Sequence, residues 1–498
     1  MDALTSGLHL FLDPTLIVYL GFGVVFGLFF GVVPGLTATL GVILLLPATY
    51  AMSSPMGLAM LIGIYVGGIS GGLVSATLLG MPGTPASVAT TFDSFPMARK
   101  GQAGRALGLG VTASFVGSLA SGFALIGLSP LLARFALSFG PFEYSALFLF
   151  GITIIISMAG KSPVKALMAT MIGLCLSTIG MDPVSGFDRN TLGLEFLENG
   201  INYFPVLMGL FVIAEILTEA SNLQDAYLIE APNMKEIFPS VRDLMRSWLN
   251  FARSSAIGIA IGILPGIGPA LSNLLAYDQA KRASKEPETF GQGNPDGIIA
   301  SEAANNATIG GALIPMLTLG IPGDSTTAAI MGGFMVHGLR PGPLLFQDNA
   351  DLVNCLFISY FAAVFIMYLV MMFGGIRFFA KSLRLPKCFL LPLVSVMSVA
   401  GAYNLNGRMA DVWVVLGTGI LGFFMSRHAY PRIPIVITLI LAPMFEAEFR
   451  RAMTLSQGSL TPFFTQPISL FFVVMFFLSI GSAIYFSCRP SREKNQEE

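Results

Sequence analysis

Charge is what this sequence has least of. Only 11% of its 498 residues are Asp, Glu, Lys or Arg, against about 25% in a soluble globular domain. So few charges cannot cover a water-facing surface, which excludes an ordinary soluble fold and makes lipid the solvent. There is no basic excess either. The net charge is −1, which argues against nucleic acid as a partner. The four cysteines, Cys175, Cys355, Cys388 and Cys488, form no CxxC pair, which excludes a disulfide or zinc framework. No HExxH, Walker A or dinucleotide fingerprint occurs, so no cofactor is expected. The opening stretch "MDALTSGLHLFLDP" contains no Lys or Arg. It lacks the positive region of a secretory signal, and the first apolar helix is expected to be retained.

What the chain has instead is apolar length. Apolar residues make up 54% of it, with a mean hydropathy of +0.75. A spanning helix needs about 20 mostly apolar residues. Such windows include 17–33, 57–79, 106–132, 255–276, 355–373 and 468–487. The expected fold is an all-α polytopic membrane protein of about 10 to 12 spans, forming a single domain. The tail "RPSREKNQEE" (489–498) reads as solvated.

The chain also repeats itself. "GLFFGVVPGLTATLGVILLLP" from Gly27 aligns with "GIAIGILPGIGPALSNLLAYD" from Gly258, pairing Pro34–Gly35 with Pro265–Gly266. "GMPGTPASVATT" from Gly80 aligns with "GIPGDSTTAAIM" from Gly320, pairing Pro82–Gly83 with Pro322–Gly323. The expected halves are 15–230 and 245–450, followed by an extra helix at 466–487 and a cytoplasmic tail at 488–498. Short basic loops mark the cytoplasmic side. The loop after the first half's second motif carries Arg99, Lys100 and Arg105, and its counterpart only Arg340. Conversely, residues 51–55 carry no positive charge, while their counterpart has Lys281, Arg282 and Lys285. Opposite bias in equivalent loops is the signature of inverted-topology repeats, with the N-terminus outside and the C-terminus inside.

Proline removes a backbone donor and glycine accepts positive φ, so Pro-Gly breaks a helix. In hydrocarbon the freed groups survive only inside protein or beside a water-filled cavity. Interrupted helices at matching places of inverted repeats point to a substrate site of a secondary transporter. A helix restarting after the break offers free N–H groups and a partial positive charge to an anion. The candidate substrate-binding residues are Gly83, Thr84, Ser87, Gly323, Ser325 and Thr326, with Pro34, Gly35, Pro82, Pro265, Gly266 and Pro322 making the breaks. Asp324 is the carboxylate of these motifs, and intramembrane carboxylates are candidates for function. With the amides of Asn273, Asn305 and Asn306 it could hold a coupling Na⁺ or H⁺. The bland alternatives stay open: glycine faces pack helices, Asp324 caps one, and the asparagines tie helices together.

A catalytic reading competes. "GISGG" (68–72) matches G-x-S-x-G and makes Ser70 a candidate nucleophile, with His337 or His428 as base. Against it, the repeat replaces Ser70 by Gly310, so what the halves share is smallness, a packing requirement. The chain is not expected to be an enzyme.

The stretches "GVVPGLTATLGVILLLP", "LLGMPGTPASVATTFDSFPMARKGQAGRALG", "GILPGIGPALSNLLAYDQAKR" and "NNATIGGALIPMLTLGIPGDSTTAAIMGGFMVHGLRPGP" resemble the large membrane subunit of the tripartite tricarboxylate transporters (TctA-type), over nearly the whole chain. The resemblance implies a secondary transporter in the bacterial inner membrane. Its partners would be a small four-helix membrane subunit and a periplasmic solute-binding protein. Its substrate would be a small carboxylate, citrate among the possibilities, with uptake coupled to Na⁺ or H⁺. A stand-alone ion-coupled organic anion carrier is the alternative. The resemblance assigns no site residue.

Overall fold

A computed structural model describes residues 2–158, 163–182, 186–221, 237–383 and 387–488. The tail expected at 488–498 lies outside them except for its first residue. The described chain is almost entirely helical. A two-stranded pair, Gly180–Met181 with Asp188–Arg189, is joined to the helix Ile433–Leu455 by ion pairs Arg189–Glu446 (2.7 Å) and Arg450–Asp182 (3.0 Å). Six of the described helices are long and apolar enough to cross a membrane, and five more are apolar but shorter. Large apolar side chains face outward, Phe123 at 69% and Trp413 at 65% exposure. Water would penalise such a surface and lipid does not, so the chain is a polytopic membrane protein.

Nine helices carry the architecture of interest. In the first half they are α1 (Pro14–Val32), α2 (Ala38–Thr49), α3 (Ser54–Leu79), α4 (Val88–Met97) and α5 (Ala103–Ala136). In the second they are α6 (Trp248–Ile263), α7 (Pro269–Ala283), α8 (Pro295–Leu319) and α9 (Ser325–Val336). Every Pro-Gly motif falls in a gap between two of them. Gly35 and Gly266 take φ of +90° and +81°, and Gly80 and Gly320 +67° and +70°. Matching positions thus adopt matching left-handed backbone, which only glycine enters without strain.

The glycines between breaks let helices touch backbone to backbone. A β-carbon on Gly23, Gly27 or Gly31 of α1 would stand 2.2–2.3 Å from the carbonyl oxygen of Met60, Ile64 or Gly68 of α3. The order of these contacts makes α1 and α3 parallel. Gly258 and Gly262 of α6 meet Ala304 and Thr308 of α8 in the same sense, at 2.3 and 2.7 Å. Helices α3 and α8 are buried nearly throughout, and each forms the centre of its half.

Two basic loops expected on one side of the membrane share one face of the molecule. The Lys100 Nζ donates to the Gln292 carbonyl at 2.7 Å. Beneath it, the buried Asp93 of α4 gathers the loop before α8. Its Oδ1 accepts N–H bonds from Gly291, Gly293 and Asn294 (2.7–2.9 Å), and its Oδ2 accepts from the Tyr277 hydroxyl at 2.9 Å.

Candidate substrate and ion site

Within each half, the first break packs on the second. A β-carbon on Gly83 would lie 2.3 Å from the Gly31 carbonyl oxygen, and one on Gly323 2.7 Å from that of Gly262. The Gly266 N–H donates to the Gly323 carbonyl at 2.8 Å. Between halves, helix starts meet helix starts. Thr39 of α2 bonds Ser325 (2.9 Å) and Thr326 (2.7 Å) of α9. Asn273 of α7 accepts the Ala89 N–H of α4 at 2.7 Å, and its amide donates to Thr90 at 3.3 Å. Two pairs of helix N-termini, α2 with α9 and α4 with α7, therefore converge inside the protein. Their partial positive charges suit an anion.

The pairs differ in how they are capped. At the first, Thr37 accepts from the Leu40 N–H, and Asp324 forms a capping box with Thr327. Its Oδ1 accepts from the Thr327 N–H (2.7 Å) and hydroxyl (2.8 Å), and its Oδ2 from the Tyr65 hydroxyl (2.5 Å). At the second, neither Ser87 nor Gly268 caps through a side chain. Thr84 and Ser87 are buried, and among the described residues their hydroxyls have only a long mutual contact of 3.4 Å.

Among the described residues, no hydrogen bond joins Asp324 to Asn273, Asn305 or Asn306. Asn306 directly, and Asn273 through Thr90, belong instead with a carboxylate that the sequence does not single out, Glu302 of α8. It is fully buried. Its Oε1 accepts from the Thr90 hydroxyl at 2.5 Å and its Oε2 from the Ser114 hydroxyl at 2.9 Å. Asn306 Nδ2 reaches Oε2 at 3.5 Å, while its Oδ1 accepts from the Ser70 hydroxyl at 2.7 Å. Asn305 is also fully buried beside the Glu302 carboxylate, and among the described residues neither atom of its amide has a hydrogen-bond partner of good geometry. The signal was present in "SEAANNA" (301–307). Its polar residues lower the local hydropathy, so this stretch was not read as a span. Ser70, the candidate nucleophile, donates to the Val66 carbonyl (2.9 Å) and to Asn306. His337 packs beside Gly57, thirteen residues or about 20 Å down the helix from Ser70, and His428 bonds the Phe424 carbonyl.

A family model described as "Tripartite tricarboxylate transporter TctA family" matches residues 17–437. This chain belongs to the TctA family. The TctA chain is 35% identical over 499 residues to an uncharacterized 52.8 kDa protein in the TAR-I ttuC' 3' region of Agrobacterium vitis, covering 99% of this chain and 97% of that protein. An uncharacterized protein in the TAR-II ttuC' 3' region of the same organism is 32% identical over 240 residues, 48% of this chain and 98% of its own length. No solved structure matches the TctA chain. Membership in a family described as tripartite tricarboxylate transporters gives the helix breaks a transport context.

Proposed function

We propose that this chain is the large permease subunit of a secondary transporter. It carries small carboxylates across the bacterial inner membrane, receives them from a periplasmic binding protein, and works beside a small membrane subunit. The observation that carries the reading is the convergence of helix N-termini from both halves at the Pro-Gly breaks. Broken helices of transporters use such ends to hold anionic groups. The carboxylate binds at the N-terminus of α4, where Gly83 brings the backbone close and Thr84 and Ser87 hold weakly committed hydroxyls. Gly323, Ser325 and Thr326 form the counterpart in the other half. With no nucleotide-binding motif in the sequence, an ion gradient drives the cycle. Asp324 and the Glu302–Asn305–Asn306–Asn273 cluster are the candidate coupling sites. The parallel packing within each half and the shared face of the two basic loops support inverted repeats with that face cytoplasmic.

The test is uptake of radiolabelled citrate and of mono- and dicarboxylates into proteoliposomes, with and without the binding protein and the small subunit. Uptake only in the full set supports the proposal. Equal uptake by this chain alone would make it a stand-alone carrier, and no uptake of any carboxylate would remove the substrate class.

A further inference from the structure

We propose that Glu302, Thr90, Ser114 and Asn305 form a Na⁺ site whose occupation licenses anion binding at the start of α4. This rests on the reading above that uptake is ion-driven, and it moves the coupling charge from the Asp324 motif to α8.

A carboxylate at membrane depth is expensive unless something neutralises it. Among the described residues no Lys or Arg forms an ion pair with Glu302. The charged groups on the helices around it are engaged or distant. Asp93 of α4 holds the loop N–H groups, Asp324 is bound by Thr327 and Tyr65, and Arg253 of α6 bonds Asn250. Arg105 stands nine residues from Ser114 on α5, and Lys281 eight from Asn273 on α7, each about 12–14 Å along its helix. Glu302 is therefore surrounded by neutral oxygens: the Thr90 and Ser114 hydroxyls on its own two oxygens, and the Ser301 hydroxyl 3.2 Å from that of Thr90.

The number of oxygens gathered here suits a metal ion better than a proton. Asn305 lies four residues after Ser301 and three before Thr308 on α8. Ser301 faces Thr90, and Thr308 bonds Ser272 of α7 at 2.7 Å. Helical spacing therefore turns Asn305 to the same side, toward the starts of α4 and α7. A buried amide with no partner is costly. A proton on Glu302 would make the carboxyl a single O–H donor and so answer only one of these oxygens. A hard cation accepts the carboxylate, the amide oxygen and the hydroxyl oxygens together, and the hydroxyls rotate to offer lone pairs.

The location supplies the coupling. Thr90, which bonds Glu302, is three residues from Ser87, in the first turn of α4. An uncompensated Glu302 charge there repels an anion arriving at that helix start. Na⁺ cancels the repulsion, and by linkage the anion then tightens Na⁺ binding by the same factor.

The test is thermal unfolding of the full chain in detergent, titrated with NaCl at constant ionic strength against choline chloride, for wild type, Glu302→Gln and Asn305→Ala. Wild type should show saturable stabilisation by Na⁺ that choline does not give. Glu302→Gln should abolish it. Asn305→Ala, which keeps the carboxylate, should raise the half-saturating Na⁺ concentration about ten- to hundred-fold, and it decides the matter if the Gln variant does not fold. Unchanged Na⁺ response in Asn305→Ala, or in a folded Glu302→Gln, overturns the site. So does a wild type stabilised by acidification and indifferent to Na⁺. Citrate uptake by wild type with the binding protein and small subunit separates the two layers. Independence from both Na⁺ and pH gradients refutes ion-driven uptake, whereas Na⁺-driven uptake that persists in Glu302→Gln refutes only this assignment.

Discussion

Replacing Asp324 by Ala and by Asn separates a capping role from a coupling role. Ala removes the acceptor of two buried donors, the Thr327 N–H and the Tyr65 hydroxyl. The Thr327 hydroxyl keeps the Asp324 backbone as partner. Tyr65 is fully buried, so its hydroxyl has no bulk water to turn to. Each orphaned buried donor costs about 1–3 kcal/mol, so Asp324→Ala should cost roughly 2–6 kcal/mol. Asn retains an oxygen for the Thr327 N–H and caps about as well as Asp, but its amide is a donor, so the Tyr65 O–H loses its acceptor while its oxygen gains a bond. Asp324→Asn should therefore cost about 1–3 kcal/mol, less than Ala, and leave the ion dependence of uptake in place. The assays are the unfolding midpoint in detergent and citrate uptake against external Na⁺ and pH. Equal midpoints for Ala and wild type would refute the hydrogen-bond reasoning. A stable Asn variant with uptake no longer responsive to the driving ion would return the coupling charge to Asp324.

Three further outcomes are expected. Gly83→Ala and Gly323→Ala drive a methyl group to within 2.3 and 2.7 Å of the carbonyls of Gly31 and Gly262; overpacking of this kind costs about 1–3 kcal/mol, and both variants should unfold at lower temperature than wild type, with unchanged midpoints refuting the contact. In a cysteine-free background, Lys100→Cys and Lys285→Cys should both resist a membrane-impermeant thiol reagent added from the periplasm, and ready labelling of either would overturn the cytoplasmic assignment of that face. Thr84→Ala and Ser87→Ala should each raise the apparent KM for citrate about ten-fold or more, since a hydrogen bond to a charged group is worth about 1.5–3 kcal/mol; wild-type kinetics in both would move the anion site elsewhere.

The breaks were legible because their cause is covalent. Proline lacks a donor and glycine lacks a side chain wherever they stand, and all four Pro-Gly motifs end helices where the repeat alignment put them. The pairing of helix starts across the halves was not legible, because it depends on which faces pack. Nothing in the sequence near Thr39 points to Ser325, or near Ala89 to Asn273. Asp324 stood out as an acid in a proline-glycine motif, but its neighbours bind it as a cap. Glu302 was hidden by averaging: hydropathy sums a window, while burial is decided residue by residue. Asp93, which ties α4 to the loop before α8, carries no local mark of that role. Its three backbone partners sit in the turn-rich stretch "GQGNPDG" (291–297), which marks a turn but not the side chain it wraps around.

The polarity of α8 has a consequence for how the chain is made. Asp296, Glu302, Asn305 and Asn306 all lie on this helix, and it is not among those long and apolar enough to cross alone. An acidic residue at a helix centre adds about 2.5–3.5 kcal/mol to the cost of insertion. During synthesis α8 therefore cannot settle into lipid as an independent segment. Its polar side chains are answered by Thr90, Ser114 and Ser70, all translated long before it. The first half must already be in the membrane, with that polar surface presented, when α8 leaves the ribosome. The second half is thus assembled on the first as a template, and a chain truncated before residue 295 would lack one of the two helices at the centre of the fold.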